Sequence, residues 1–429
     1  MKSEVTLRLG DVASVISGYA FKSSVFGDQG VPVIKIANIR SGYLDFSDTQ
    51  KVDEENFEKL NEKYRVNPGD ILISLTGSHV TQPKSVVGRV AQAPQGLNKC
   101  LLNQRAGKVI LKRKDRCDPG FLYRYLTAAA AQGAIASMAS GAASQANVSP
   151  SQVESLPLVL PSLDKQQRIA SILSAYDDLI ENNTRRIEIL EEMARRLYEE
   201  WFVHFRFPGH EEVRFKESEL GLIPEGWEVV QLNEVSEYIS RGISPKYAQS
   251  DFKVINQKCI RDNRLNMALS REQVKKVPEA KYVRFGDVLI NSTGVGTLGR
   301  VAQVYEQLEN ATVDSHVTIV RPLPEIDFDF FGIGLQILQP YFESLGVGAT
   351  GQTELSRVRV GETPVIAPPA ELQKKFGELV EPMRRACIKY GVKNTNLRAQ
   401  RDLLLPKLVS GEVDVSDIPI PDDKEVETA

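Results

Sequence analysis

The chain is written twice. Val33–Arg40 (VIKIANIR) returns as Val254–Arg261 (VINQKCIR) at an offset of 221 residues, and Gly69–Ile73 (GDILI) returns as Gly286–Ile290 (GDVLI) at 217, each followed by Thr-Gly. GRVAQ occurs unchanged at Gly88–Gln92 and Gly299–Gln303, an offset of 211. From Gly141 through Ile169 the offset holds at 207, aligning GAASQANVS with GATGQTELS and PSLDKQQRI with PPAELQKKF. Chance supplies one such match but not five in the same order. The stepwise fall in offset means that the second copy has lost residues in steps, as surface loops do. A period of about 200 residues is too long for a solenoid unit, so each copy is expected to be a domain followed by an appended segment.

Each copy begins as mixed α/β. Short β-rich runs (VPVIKIANI, DILISLTG, AGKVILK; VLINSTG, VTIVRP) are bounded by Gly, Pro, Asn and Asp. A helical stretch follows, FLYRYLTAAAAQGAIASM in copy one and FFGIGLQILQPYFESL in copy two. Pro157 and Pro161, matched by Pro364 and Pro368, then punctuate the chain before a long helical pattern. The expected fold class is α/β (α+β). A first domain spans 1–160, a central helical spacer 161–206, a second domain 207–366, a C-terminal helical spacer 367–410, and an acidic tail 411–429.

The first long pattern places Ile169, Leu173, Tyr176, Ile180, Asn183, Ile187, Leu190, Ala194, Leu197 and Trp201 at alternating spacings of four and three. This is a heptad seam. The second runs Phe376, Val380, Met383, Cys387, Tyr390, Asn394, Leu397, Arg401, Leu404 and Leu408, with Pro382 inside it. Either stripe could be a helix face against a globular core. The length of the patterns and the charge on their other faces favour coiled-coil seams over faces packed on a globular core; if the two helices run antiparallel in a centred register, position n faces 577 − n. Asn183 would then face Asn394 and fix the register. Pro382 should kink the second helix or split off its first turns.

Composition narrows the chemistry. Hydrophobic residues at 42% and charged residues at 25% describe an ordinary globular chain, and 53 Lys and Arg against 56 Asp and Glu exclude a uniformly basic coat protein. No apolar run approaches a membrane span, and MKSEVTLRLGDV lacks the apolar core of a signal peptide. The four cysteines are far apart without ligand or disulfide spacing, so a cytoplasmic protein with free thiols is expected. There is no Walker A pattern, no glycine-rich cofactor loop, no Asn/Asp-Pro-Pro-aromatic tetrapeptide, and no metal-binding arrangement of the four histidines. No catalytic residue and no metal site is expected; a dispersed carboxylate cluster stays open.

Positive charge is local. Lys84–Arg116 holds nine basic residues against Asp115 alone, Arg241–Arg300 holds twelve against five acids, and the tail from Gly411 carries seven acids and one lysine. The bias recurs in both copies, which suits contact with phosphate backbone, although a solvated surface would read the same way. Base edges are read by Arg or Lys on guanine and by Asn or Gln on adenine. Candidate DNA-contacting residues in copy one are Asn38, Arg40, His79, Gln82, Lys84, Arg89, Gln104 and Arg105. In copy two they are Lys246, Gln257, Lys258, Arg261, Arg264, Asn291, Thr293, Arg300 and His316. Unlike residues in like frameworks would read unlike sequences.

Several strings carry a family resemblance: LGDVASVISG at Leu9–Gly18, PSLDKQQRIASIL at Pro161–Leu173, EWFVHFRFPG at Glu200–Gly209, LIPEGWEVVQL at Leu222–Leu232 and RDLLLPKLVSGEVDV at Arg401–Val415. Over essentially its whole length the chain resembles the specificity (S) subunits of type I restriction–modification enzymes. The resemblance implies two target-recognition domains separated by an antiparallel coiled coil, and a subunit without catalytic activity. It implies double-stranded DNA with a bipartite, asymmetric site and a nonspecific spacer, two methyltransferase (M) subunits, and motor-nuclease (R) subunits in the full complex. The M subunits methylate adenine with adenosylmethionine; that cofactor, ATP and Mg are implied for partner subunits and none for this chain. An internal repeat makes a pseudo-two-fold monomer, able to offer similar surfaces to two identical partners. The aromatic group Trp201, Phe202, Phe205 and Phe207 is expected to pack a joint or anchor a partner. The rival readings are a self-contained DNA methyltransferase or nuclease, and a coiled-coil scaffold that does not bind DNA.

Overall fold

A computed structural model describes residues 5–78, 87–142, 145–348 and 353–418. The chain forms two compact units, Met1–Glu181 with Asn394–Ala429, and Asn182–Lys393. Each unit thus takes one copy of the repeat, part of the first long helix and part of the second.

In the first unit, Ala13–Ser17, Ala106–Leu111, Ile71–Ser74 and Val90–Gln92 form a four-stranded antiparallel sheet in that spatial order. A three-stranded sheet joins Lys51–Val52, Val31–Ile34 and Leu101–Leu102, the last pair parallel. Val5–Arg8 pairs with Pro157–Leu160 and ties the start of the copy to its end. Ile71–Ser74 is buried at all four positions because both faces of the strand are covered. Ile71 and Ile73 face one core with Phe121 and Leu122 of the helix Pro119–Thr127, while Leu72 points the other way, to Ile34 and Leu102. That alternation is the period-two geometry of a strand.

The second unit repeats the plan. Its four strands run Ser236–Arg241, Val317–Pro322, Val288–Asn291, Val301–Gln303, and its mixed sheet runs Arg271–Glu272, Lys253–Ile255, Ala311–Val313. Glu228–Gln231 pairs with Pro364–Ala367. Val288 and Ile290 face Phe331 and Leu335 of the helix Phe328–Ile337, and Leu289 faces Ile255 and Val313. One residue, Glu237, is bulged between Ser236 and Tyr238, so the repeat offset in the first strand becomes 224 after it.

The two long helical patterns are helices Leu163–Tyr198 and Ala370–Val409. Every seam position is buried or half-buried. In the first unit Asn394 Nδ2 donates to the Ile180 carbonyl, and Arg401 pairs with Asp177. In the second, Cys387 Sγ lies 3.8 Å from the Ile187 carbonyl and Arg186 reaches the Tyr390 hydroxyl. Falling numbers on one helix meet rising numbers on the other, so the segments within each unit are antiparallel. Asn183 and Asn394 are both buried.

Two expectations need correction, and one helix ends in an irregular turn. The second helix is not split at Pro382, which lies on its exposed side, where water can bond the carbonyl left without an amide. The first helix ends its regular run at Tyr198 and closes in a π-helical turn, Glu199–Val203, after which Phe205 adopts φ +57. The single helical stretch expected in copy one breaks at Ala128 into Pro119–Thr127 and Ala129–Met138. Trp201, Phe202 and Phe207 pack with Trp227, Phe330 and Phe376 in a core of the second unit. Among the described residues no helix is long and apolar enough to cross a membrane.

Candidate nucleic-acid interface

The ends of the four-stranded sheets gather the polar candidates. In copy one, the Gly18 amide donates to the Ala106 carbonyl, the Leu75 amide to the Arg105 carbonyl, and the Ser74 amide to the Arg89 carbonyl. Gly18, Arg105, Leu75 and Arg89 therefore follow one another across the same end of the sheet. In copy two, the Gly242 amide donates to Val317, Ser292 to His316, and Asn291 to Arg300, giving the equivalent row.

The middle of each row is a turn built by an acceptor side chain. Asn103 Oδ1 accepts from the Arg105 amide, and Asp314 Oδ1 accepts from the His316 amide at 2.9 Å. This Asx-type turn joins the short parallel strand to the long one. The two copies thus present Arg105 and His316 from one framework, both exposed. Among the described residues the Arg105 guanidinium has no hydrogen-bond or ion-pair partner, and Gln104 beside it is exposed. His316 joins a polar group: its Nδ1 lies 2.8 Å from Thr293 Oγ1, to which Gln257 Nε2 donates at 2.7 Å. Gln257 and Lys258 align with Ile36 and Ala37 of copy one, so this group has no counterpart there.

The remaining candidates divide. Lys246 and Lys258 are exposed without a side-chain partner among the described residues. Arg40 pairs with Asp45 at 3.2 Å, Arg261 lies 3.5 Å from Asp262, and Arg300 Nη2 donates to the Gly296 carbonyl. Burial, and then the charge of Arg40, hold the Arg89 guanidinium below its usual range. Two candidates are withdrawn as base readers because they are buried. Asn38 is buried, its amide donating to Asp45 and Thr49 and its carbonyl accepting from the Lys35 amide. Asn291 is buried and donates to the Gln257 carbonyl. Arg264 keeps its place among the candidates, its Nε bonding Glu191 at 2.9 Å on the first long helix in a half-exposed ion pair. His79, Gln82 and Lys84 lie outside the described residues.

Much of the basic surplus is structural as well. Lys108 is buried between Asp70 and the Arg65 carbonyl, Lys99 pairs with Glu54, and Lys281 caps the Arg241 carbonyl. Sequence reasoning missed Lys22. It stands four residues after Gly18, as Lys246 stands four after Gly242, and it is exposed. The shared pattern Gly-x-x-x-Lys was the available signal. Among the described residues no group of three or more His, Cys, Asp and Glu is placed to hold a metal ion.

Comparison with known proteins gives concordant results. The family described as "Type I restriction modification DNA specificity domain" matches residues 2–192 and 224–395. The chain is 26% identical over 349 residues to the type I restriction enzyme MjaIX specificity subunit of Methanocaldococcus jannaschii, covering 78% of this chain and 79% of that one. It is 31% identical over 217 residues to the putative MjaX specificity subunit of the same organism, covering 50% of this chain and 49%, about half, of the relative. A crystal structure of a type I restriction–modification S subunit from M. genitalium superposes with a TM-score of 0.55 at 18% identity, covering 95% of this chain and 96% of that one. At that identity the likeness speaks for the fold.

Proposed function

We propose that this chain, which belongs to the type I restriction–modification DNA specificity family and carries two target-recognition domains, reads one half of a bipartite duplex site with each domain and performs no chemistry itself. The observation that carries the reading is the exchange of Arg105 for His316 in equivalent turns at the same end of equivalent sheets. A shared framework with an exchanged donor is what two readers of different sequences require. An arginine without an acid beside it is suited to the O6 and N7 acceptors of guanine in the major groove. The imidazole of His316, backed by Thr293 and Gln257, offers a donor and acceptor set of different shape.

The two long helices are proposed to act as an antiparallel coiled coil that sets half-site spacing and docks two methyltransferase subunits, with motor-nuclease subunits completing the complex. Adenosylmethionine, ATP and Mg would then be held by those partners, and the complex would act on DNA in the cytoplasm. A self-contained methyltransferase is disfavoured because neither copy has a glycine-rich cofactor loop. Arg105→Ala tests the reading. Binding selection from randomised duplexes should show lost preference at one base pair of the first half-site, worth about 1–3 kcal/mol of discrimination, with the second half-site unchanged. Relaxation in both halves, or in neither, contradicts it.

A further inference from the structure

Two domains that read different bases share one ligand feature, the phosphate backbone. Side chains that differ between the copies at the binding face are free to specify; cations kept in both copies at that face suit what is common to both half-sites. One such position lies in the sheet-end row and a second follows the row four residues past its first glycine. Gly18 and Gly242 pass so close to the neighbouring strand that a Cβ at either would overlap the carbonyl of Leu102 or Val313. The Tyr19 and Ile243 amides then donate to those same carbonyls, which pins both segments identically beside the turn that carries Arg105 or His316. Lys22 and Lys246 follow, exposed. At the other side of the row stand Arg89 and Arg300, each opening the strand VAQ of the verbatim GRVAQ. Arg89 has no acid partner among the described residues and is crowded by the charge of Arg40; Arg300 bonds only a backbone carbonyl.

The lysine segment follows one outer strand of the sheet and the arginine precedes the other, with the reader on the strand next to the first. Three strand spacings of about 4.8 Å separate the outer strands by roughly 14 Å. The major groove is about 12 Å wide. Resting on the DNA reading above, we propose that Lys22 with Arg89, and Lys246 with Arg300, are matched phosphate contacts. They straddle the groove from which Arg105 and His316 read bases.

The test is a salt titration of duplex binding by the full chain, with a duplex carrying its selected target and a scrambled one. Each of Lys22→Gln, Arg89→Gln, Lys246→Gln and Arg300→Gln should reduce the slope of log K against log salt by about 0.9, one phosphate contact. Affinity should fall by the same factor on both duplexes, and the selected sequence should not change. Arg89→Lys and Arg300→Lys, which keep the charge, should keep the slope, separating lost charge from lost folding. An unchanged slope in the Gln variants, or altered base preference at a half-site, overturns the assignment alone. Failure of the unsubstituted chain to prefer any duplex overturns the DNA reading and the assignment with it.

Discussion

Asp329 shows how one side chain can carry cost and order together. It sits in the first turn of Phe328–Ile337, is 1% exposed, and bonds Arg384 Nε at 2.8 Å. Burial outweighs the attraction of Arg384 and pushes its carboxyl up to about 6. The folded value thus lies above the ordinary one near 3.9. The folded state binds the proton more tightly than the unfolded state, so this group favours folding most at low pH. That contribution is lost as pH rises through about 6. The difference in melting temperature between the parent and Asp329→Asn should therefore move in the parent's favour as pH falls from 7 to 5. A pH-independent difference would contradict the assignment. Residue-scale roles were the least legible in the sequence. Asn38 and Asn291 have the right chemistry for adenine, but residue type does not reveal burial, and their Nδ2 groups donate to backbone carbonyls and, for Asn38, a neighbouring threonine. Lys22 went unread because its copy and that of Lys246 share only a glycine and a lysine, and the bulge at Glu237 moves the offset.

The elements were far more legible, because strand runs and heptads are set by the need to bury apolar faces at fixed periods. What the pattern could not show is how each long helix is fastened to its domain. Gln166 and Gln373 occupy the same position of the matched strings PSLDKQQRI and PPAELQKKF, and both are buried. Gln166 Oε1 accepts from the Asp118 amide while its Nε2 donates to the Arg116 and Pro161 carbonyls. Gln373 Oε1 accepts from the Asp327 amide while its Nε2 donates to the Pro368 carbonyl. Asp118 and Asp327 in turn cap the helices that cover the main sheet, through the Phe121 and Phe330 amides. A buried amide thus joins helix start to domain in each copy, across 48 residues in the first. Gln373→Leu leaves a backbone donor and acceptor buried without partners and should cost about 2–4 kcal/mol. Gln373→Glu keeps the acceptor and should lose less at low pH than at pH 7, where a buried charge is added. Thermal unfolding of both variants checks this; equal losses at both pH values would contradict the buried-amide account.

At the scale of the whole molecule, duplication gives one chain two recognition domains built on one framework. Two copies of one framework differ at Arg105 and His316 and agree at Gly18 and Gly242, Asp118 and Asp327, Gln166 and Gln373. If the helical pair sets spacing, removing one heptad from each long helix should shorten the gap between half-sites and leave both half-site sequences as they were. The most direct measurement is selection from randomised duplexes by the full chain together with its methyltransferase partner. The account predicts two unlike conserved blocks separated by a fixed run of unspecified bases, with Arg105→Ala relaxing one block only. A single continuous motif, or two blocks that both change with Arg105, would contradict it.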